Sequence, residues 1–287
     1  IVFAASGAVA REAWRYTRRR KVPLVQWIWD LPPWRLGPGR SDPVFDFRGR
    51  LFRIPRLTNG YTQRRRLYSN LHYIARSSAE VWVPSHATEA DVRARFGVDS
   101  RRVAHCFDDR LFTPGDRTTA GEHLVTVSRL VPSKNQELVI RAAAILGMPV
   151  RIIGRGALEN ELRAVAKDLG VSCTVETGLS DQELLAAYRT AAVVVCPSRF
   201  EGFGLTGIEA ASCATRVAAS DIAPHREFLA GVAHFFPPDD PRAAATAIRA
   251  ALEAPRPDPE RVQWLSTSAA AKRFSEGFAR LGVTARN

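Results

Sequence analysis

The chain has 287 residues, 46% of them apolar and 24% charged, which leaves room for two globular domains. No apolar run approaches the ~18 residues that span a bilayer. Residues 1–10 lack a basic secretory leader, so we expect a cytoplasmic protein, or a peripheral one at the inner face of the cell membrane.

The formal net charge of +12 is unevenly distributed. Residues 1–112 hold 21 Lys and Arg against 10 Asp and Glu, whereas residues 113–287 hold 20 against 19. This excess favours an anionic partner for the first part, either a membrane surface, a lipid-diphosphate acceptor or nucleic acid, but an arginine-rich composition alone would also produce it. The hypothesis of a nucleic-acid partner rests on charge alone, because the sequence has no recognisable nucleic-acid-binding motif. We therefore expect no nucleic acid as a partner.

The four cysteines are scattered, without a Cys-x-x-Cys pair or histidines at ligand spacing. The pattern therefore predicts reduced, mostly buried thiols and neither a disulfide framework nor a zinc site.

The chain opens with a predicted strand, Ile1–Ala5, a helix, Ala8–Arg20, and a second strand, Val22–Ile28. Trp29 and Asp30 follow that strand, at the sheet edge where open α/β folds bind ligands. They are candidate ligand contacts, although aromatic residues at a strand end more often pack against the core or its rim.

Proline, glycine and arginine in residues 36–60 predict a long loop, and a helix is predicted from Arg64 to about Ser77. That helix has basic and apolar sides, which suits a membrane surface, but packing on the sheet is the commoner explanation. A strand at 80–85, a helix capped by Ser85 and ended by Gly97, and a strand from Val103 to Phe107 complete the first predicted domain.

The second predicted domain starts with a strand at 123–128 and a helix reaching residue 146, with Ser133 and Gln136 as a capping box. Arg129 and Lys134 lie in the loop between them. Cations at this sheet edge can hold a diphosphate, although either residue alone would more often be a solvated surface charge.

Gly154 follows a buried strand at 150–153, but Glu159 occupies the third glycine position of a dinucleotide fingerprint. We expect the Gly154 loop to lie near a nucleotide base instead. Further strands at 173–177, 193–196, 217–220 and 233–236 alternate with helices, one of them capped by Ser180 and Glu183. The alternation predicts an α/β fold with a doubly wound parallel sheet.

The stretch 197–213, Pro-Ser-Arg-Phe-Glu-Gly-Phe-Gly-Leu-Thr-Gly-Ile-Glu-Ala-Ala-Ser-Cys, is predicted to turn from strand into helix. Its glycines allow close backbone approach, and the first amides of the helix suit a phosphate. Glu201 and Glu209 bracket the turn. Thr206 and Glu209 also fit a purely structural capping box.

The full string, with Glu201 and Glu209 separated by seven residues, resembles the E-x7-E signature of retaining glycosyltransferases of family 4. The Arg-Leu-x-x-x-Lys passage that contains Arg129 and Lys134, and the passage 220–227, are also similar to that family. The resemblance implies the GT-B architecture, in which two Rossmann-like domains face each other across a cleft. It further implies transfer of a hexose from a GDP- or UDP-sugar to an acceptor hydroxyl with its anomeric configuration kept.

The resemblance also implies roles for individual residues. Arg129, Lys134 and Glu201 would be catalytic, and Trp29, in the place of a family histidine, and Asp30 would lie on the acceptor side. No metal and no cofactor beyond the nucleotide-sugar substrate are expected, because no Asp-x-Asp pair is present. Donor binding is assigned to Gly154, Phe203, Gly204, Leu205, Thr206 and Glu209.

The predicted domains are residues 1–115, joined by a C-terminal helix at 271–287, and residues 116–270. A glycine-rich opening loop typical of the family is missing, so we expect an incomplete first domain. The acceptor is left open as a sugar, a lipid-linked or a small-molecule acceptor, in cell-envelope polysaccharide, glycolipid or natural-product glycoside synthesis. The alternative is a non-catalytic sugar-nucleotide-binding module or a partner subunit of an active glycosyltransferase.

Overall fold

The computed structural model describes residues 2–4, 7–31, 71–115 and 121–282. The chain divides into two compact units, residues 1–104 with 276–287, and residues 105–275. Each contains a sheet in which all strand pairs are parallel, so the predicted α/β class with two parallel-sheet domains is confirmed. The predicted loop at 36–60 and the start of the predicted helix at Arg64 lie outside the described residues.

The first unit contains a four-stranded sheet in the order β1-β2-β3-β4. Strand β2 is buried along its whole length, as expected when helices cover both faces of a parallel sheet. Its elements are β1 (Val2–Ala4), α1 (Gly7–Arg20), β2 (Leu24–Trp27), α2 (71–77), β3 (Glu80–Val83), α3 (His86–Phe96) and β4 (Arg101–Arg102).

Helix α3 has both of its predicted ends. The Ser85 hydroxyl accepts a hydrogen bond from the amide of Thr88, and Gly97 ends the helix with φ = 61°. The predicted strand Val103–Phe107 is wrong. The chain leaves the sheet after Val103, and Phe107 forms an isolated bridge with Ser266 instead. The apolar character of that run reflects burial in other surroundings, which hydrophobicity alone cannot distinguish from burial in a sheet.

The second unit contains a six-stranded sheet in the order β10-β9-β8-β5-β6-β7. The elements of this unit are β5 (Leu124–Val127), a 3₁₀ turn (Pro132–Lys134), α4 (Gln136–Leu146), β6 (Val150–Ile153), α5 (Glu159–Asp168), β7 (Cys173–Glu176), α6 (Asp181–Thr190), β8 (Val193–Cys196), α7 (Leu205–Ser212), β9 (Val217–Ser220), α8 (Ala223–Leu229), β10 (Ala233–Phe236), α9 (Pro241–Glu253) and α10 (Glu260–Gln263). The last helix, α11 (Thr267–Ala279), starts in this unit and passes into the first unit at Glu276.

The strand order of this sheet reverses between β5 and β8. Strands β6 and β7 extend from one side of β5, whereas β8, β9 and β10 extend from the other. Open α/β sheets bind ligands at such a reversal, outside the carboxyl ends of the strands. The fold therefore brings together the loop after β5, which carries Arg129 and Lys134, and the loop after β8, which carries Glu201.

Two predicted capping boxes in this unit have different outcomes. Ser180 and Glu183 form both reciprocal hydrogen bonds at the start of α6, as predicted. The box of Ser133 and Gln136 is wrong, because Asn135 begins α4 without a side-chain cap. The side-chain amide of Gln136 donates instead to the Ser128 hydroxyl, at 2.7 Å, and to the Arg129 carbonyl, at 2.8 Å.

Candidate functional site

The loops that follow β5 and β8 are joined by hydrogen bonds. The amide of Arg199 donates to the carbonyl of Ser133 at 2.9 Å. The Asn135 side chain, itself buried, donates to the carbonyl of Pro197 at 3.3 Å. Because these bonds connect the two loops directly, they fix the position of one loop relative to the other.

Lys134 and Glu201, 67 residues apart in sequence, form an ion pair across these loops. Their side chains are 14% and 17% exposed, so the pair is partly shielded from water. The Ser198 hydroxyl also donates to the Glu201 carboxylate, at 2.7 Å. An ammonium group has three N–H donors, so Lys134 retains donors for an anion while it orients Glu201.

Arg129 lies on the same loop as Lys134, but its side chain is exposed. Within the described residues, the structure gives its guanidinium no ion pair, unlike the ammonium of Lys134. The structure therefore pairs two of the three predicted catalytic residues and leaves the third side chain at the surface.

Helix α7 begins at this site without a side-chain cap. Gly204 precedes it with φ = 97°, a left-handed conformation that glycine adopts without strain. The amides of the first helical turn have no partners within the helix, and the positive end of the helix dipole lies there. Leu205 and Thr206 occupy this turn, so their N–H groups can bind an anion.

The capping box of Thr206 and Glu209 is wrong, because both side chains bind elsewhere. The Thr206 hydroxyl donates to the carbonyl of Val127 on β5, at 3.0 Å. The Tyr188 hydroxyl donates to the Glu209 carboxylate at 2.8 Å. Burial raises the pKa of Glu209, while the hydrogen bond from Tyr188 lowers it. Glu209 is thus a held, largely buried carboxylate near the start of α7.

Two of the predicted donor contacts have packing roles that the sequence does not reveal. The Phe203 side chain is 5% exposed and packs on Phe228 at a ring separation of 4.2 Å, so its backbone is the part left for a ligand. A Cβ at Gly154 would lie 1.8 Å from the carbonyl oxygen of Ser128. Gly154 therefore allows the loop after β6 to approach the loop after β5.

Sequence reasoning assigned no role to His225 or Tyr188. His225 follows β9, the strand beside β8, and a Cβ at Gly204 would lie 2.9 Å from its Cδ2 atom. Tyr188 lies on α6, far in sequence from Glu209. The position of His225 after a strand end is a usable sequence signal, whereas nothing local identifies Tyr188.

Trp29 and Asp30 lie in the first unit, just after β2. The Trp29 side chain is 46% exposed and meets Trp27 edge to face, with ring centroids 6.1 Å apart. These residues lie at the carboxyl end of their strand, as predicted. Their acceptor role remains a prediction.

The described residues contain no cluster of three His, Cys, Asp or Glu side chains suited to holding a metal ion. All four cysteines are free thiols, two of them buried. None of the described helices combines the length and apolarity that crossing a bilayer requires.

Comparison with curated proteins finds relatives over parts of the chain. A D-inositol 3-phosphate glycosyltransferase of Rhodococcus erythropolis is 36% identical over 154 residues, which cover 44% of this chain and 35% of that protein. An MMP alpha-(1->4)-mannosyltransferase of Mycolicibacterium hassiacum is 29% identical over 156 residues, which cover 51% of this chain and 38% of that protein. The chain thus spans little more than a third of the length of these two relatives.

Solved structures resemble nearly the whole chain. Sucrose-phosphate synthase from Thermosynechococcus elongatus has a TM-score of 0.77 at 20% identity and covers 98% of this chain and 73% of its own. Anabaena HepE in complex with UDP and glucose has a TM-score of 0.75 at 16% identity, with coverages of 97% and 77%. At these identities the likeness shows the fold, which is the predicted GT-B class.

The family model described as glycosyl transferases group 1 matches residues 114–269. This range contains both loops of the candidate site and every predicted donor-binding residue. The match covers more than half of the chain, which therefore belongs to the group 1 glycosyl transferases.

Proposed function

We propose that the chain is a retaining glycosyltransferase that moves a hexose from a GDP- or UDP-sugar to an acceptor hydroxyl. The observation that carries this proposal is the Lys134–Glu201 ion pair beside the uncapped start of α7, at the strand-order reversal. This arrangement places a cation, a carboxylate and free backbone amides together, which suits a sugar diphosphate.

The expensive step is breakage of the bond between the anomeric carbon and the diphosphate oxygen. The diphosphate leaves with the bonding electrons, while the acceptor oxygen forms the new bond and gives its proton to an oxygen of the leaving diphosphate. Arg129, Lys134 and the amides at 203–206 stabilise the developing negative charge, an effect that can reach ~3–4 kcal/mol per donor. Glu201 orients the sugar hydroxyls, and Glu209 holds the ribose diol.

In this proposal the reaction needs no metal ion, because the two basic side chains and the start of α7 stabilise the negative charge of the diphosphate. Added chelator should therefore leave the rate unchanged. Loss of activity with chelator and its return with Mn²⁺ or Mg²⁺ would contradict this part.

The test begins with calorimetric titration of the purified chain with UDP, GDP and ADP, followed by product analysis with the matching nucleotide sugars. Lys134→Ala and Glu201→Ala should each lower turnover at least about a hundredfold. Lys167→Ala and Glu161→Ala are matched controls on α5, where both residues are exposed. Near-normal turnover in either site variant, with the fold intact, would contradict the proposed site.

A non-catalytic sugar-nucleotide-binding module is the second candidate. It is favoured by Trp29, whose exposed indole stands where the family resemblance expects a histidine. Donor binding without product formation by the chain would support this candidate, whereas turnover would exclude it.

For the acceptor, we propose an anionic partner of the first unit, such as a lipid-linked diphosphate or the membrane surface that carries it. The support is the excess of basic residues in this part of the chain.

A further inference from the structure

His225 is a buried histidine beside the candidate site, with a side-chain nitrogen that the proposed mechanism does not use. It lies in α8, and it is 1% exposed. Its Nδ1 atom lies 2.9 Å from the carbonyl oxygen of Ser220. A carbonyl oxygen can only accept a hydrogen bond, so the network assigns the proton to Nδ1. In the neutral ring, Nε2 therefore carries a lone pair.

The Nε2 edge of the ring is turned toward the start of α7. A Cβ built on Gly204 would lie 2.9 Å from Cδ2 and 3.2 Å from Nε2. The contacts described for His225 involve Nδ1, and none of the described residues supplies a hydrogen bond to Nε2. A ligand hydroxyl at this turn would therefore gain a hydrogen bond by donating to Nε2.

The charge state of the ring narrows the choice of ligand group. Burial lowers the pKa of His225, the nearby Glu201 carboxylate partly offsets this, and Lys134 adds to the lowering. A neutral ring offers Nε2 as an acceptor. An ionised phosphate oxygen can only accept a hydrogen bond, whereas a sugar hydroxyl can also donate one, so the lone pair matches the sugar and not the diphosphate.

We propose that Nε2 of His225 accepts a hydrogen bond from a hydroxyl of the transferred sugar, beside Glu201. Two acceptors, an imidazole and a carboxylate, then meet the sugar at one turn. His225 thereby favours the nucleotide sugar over the nucleoside diphosphate without it. This inference rests on the proposed function and adds a specificity-determining residue to the same site.

A purely structural role is the competing explanation, because Nδ1 links α8 to the end of β9. Two substitutions distinguish the structural role of Nδ1 from the ligand-binding role of Nε2, because each replaces only one of the two ring nitrogens. The amide nitrogen of Asn can replace Nδ1 but leaves nothing at the position of Nε2. The amide of Gln reaches the position of Nε2 and can accept there, but it does not replace the Nδ1 donor.

The experiment titrates the full chain and its His225→Asn and His225→Gln variants with UDP, UDP-glucose, GDP and GDP-mannose. The measured quantity is the ratio of the Kd of the free diphosphate to the Kd of its nucleotide sugar. His225→Asn should lower this ratio about tenfold, the usual effect of one lost hydrogen bond, with the diphosphate Kd little changed. His225→Gln should keep most of the ratio.

An unchanged ratio in His225→Asn, or loss of the ratio in His225→Gln alone, would overturn the inference while leaving the proposed function standing. If none of the four probes binds the wild-type chain, the proposed function fails and the inference fails with it.

A second measurement does not depend on the variants folding. In the wild-type chain with ¹⁵N-labelled histidine, one buried Nε2 signal should shift when the nucleotide sugar binds and remain unchanged with the diphosphate. The same response to both ligands, or to neither, would overturn the inference.

Discussion

Glu209 and Tyr188 show how one buried hydrogen bond sets the state of a carboxylate at the candidate site. Tyr188 is fully buried, and its hydroxyl lies 2.8 Å from the Glu209 carboxylate. Burial raises the pKa of Glu209, and the Tyr188 hydrogen bond opposes that rise. The hydroxyl therefore helps to keep Glu209 ionised as well as oriented, which a diol-binding carboxylate requires.

We expect Tyr188→Phe to weaken UDP or GDP binding about fivefold, because the variant removes a hydrogen bond of roughly 1 kcal/mol that orients Glu209. The pKa of Glu209 should also rise. In the proposed mechanism the ionised carboxylate binds the ribose diol, so affinity should begin to fall at a higher pH in the variant than in the wild-type chain. Calorimetry over a series of pH values above the ordinary glutamate pKa measures both effects.

Tyr73→Phe is the control for this prediction, because Tyr73 is 58% exposed in the first unit. It should leave affinity and pH profile unchanged. A Tyr188→Phe chain with a wild-type pH profile would show that Tyr188 packs beside Glu209 without controlling its ionisation.

The residues of the site differ in how well the sequence predicts them. Glu201 and Lys134 are predictable because they follow strand ends, and parallel strands bring their carboxyl ends to one edge. Tyr188 joins the site through helix packing and has no local signal. The position of His225 after β9 is visible in the sequence, but its approach to Gly204 is not. Non-local contacts of this kind require the three-dimensional structure.

Among the elements, the loop after β6 supports the loop after β5. The amide of Leu130 donates to the carbonyl of Arg155 at 2.9 Å. A Cβ at Gly156 would lie 2.2 Å from the Leu130 carbonyl oxygen. The absence of side chains at Gly154 and Gly156 therefore determines where the Arg129–Lys134 loop lies.

We expect Gly156→Ala to reduce the free energy of unfolding by about 1–3 kcal/mol, because the added methyl group must push two hydrogen-bonded backbones apart. It should also weaken UDP or GDP binding about tenfold or more, because the displaced loop carries Arg129 and Lys134. Urea unfolding and calorimetry measure the two effects on the same protein.

Gly147→Ala provides a matched control in the same unit. Gly147 has φ = 67°, and a methyl group added there would meet open space, so its substitution should cost about 1 kcal/mol of backbone strain without moving the site. Diphosphate affinity should then stay at the wild-type value. If the Gly156→Ala chain also binds the diphosphates with wild-type affinity, Gly156 does not control the geometry of the site.

Element boundaries also show where sequence signals stop being sufficient. The Ser180–Glu183 capping box forms because both side chains are exposed and have their own helix start as nearest partner. Gln136 and Thr206 fit the same pattern but reach tertiary partners, Ser128 and Val127. Short continuous apolar runs predict the buried strands of the second unit well, whereas burial outside the sheet makes residues 103–107 resemble a strand.

For the molecule as a whole, the uneven charge predicts which part approaches an anionic acceptor. Helix α1 ends in three consecutive arginines, Arg18, Arg19 and Arg20, all exposed. The exposed ring of Tyr16 lies on the same helix, with the Arg20 guanidinium 5.9 Å from its centroid. Basic and aromatic side chains together favour the surface of an anionic bilayer.

We expect the chain to sediment with vesicles that contain phosphatidylglycerol and not with vesicles of phosphatidylcholine alone, and added salt should weaken binding through screening. Reversing the charges of Arg18, Arg19 and Arg20 to Glu should lower partitioning at least about a hundredfold, at about 1 kcal/mol per basic residue. Reversing Lys167, Arg242 and Arg249, exposed residues of the nearly neutral second unit, changes the net charge equally. If both triple variants lose binding alike, net charge alone is responsible, and α1 is not the membrane-facing surface.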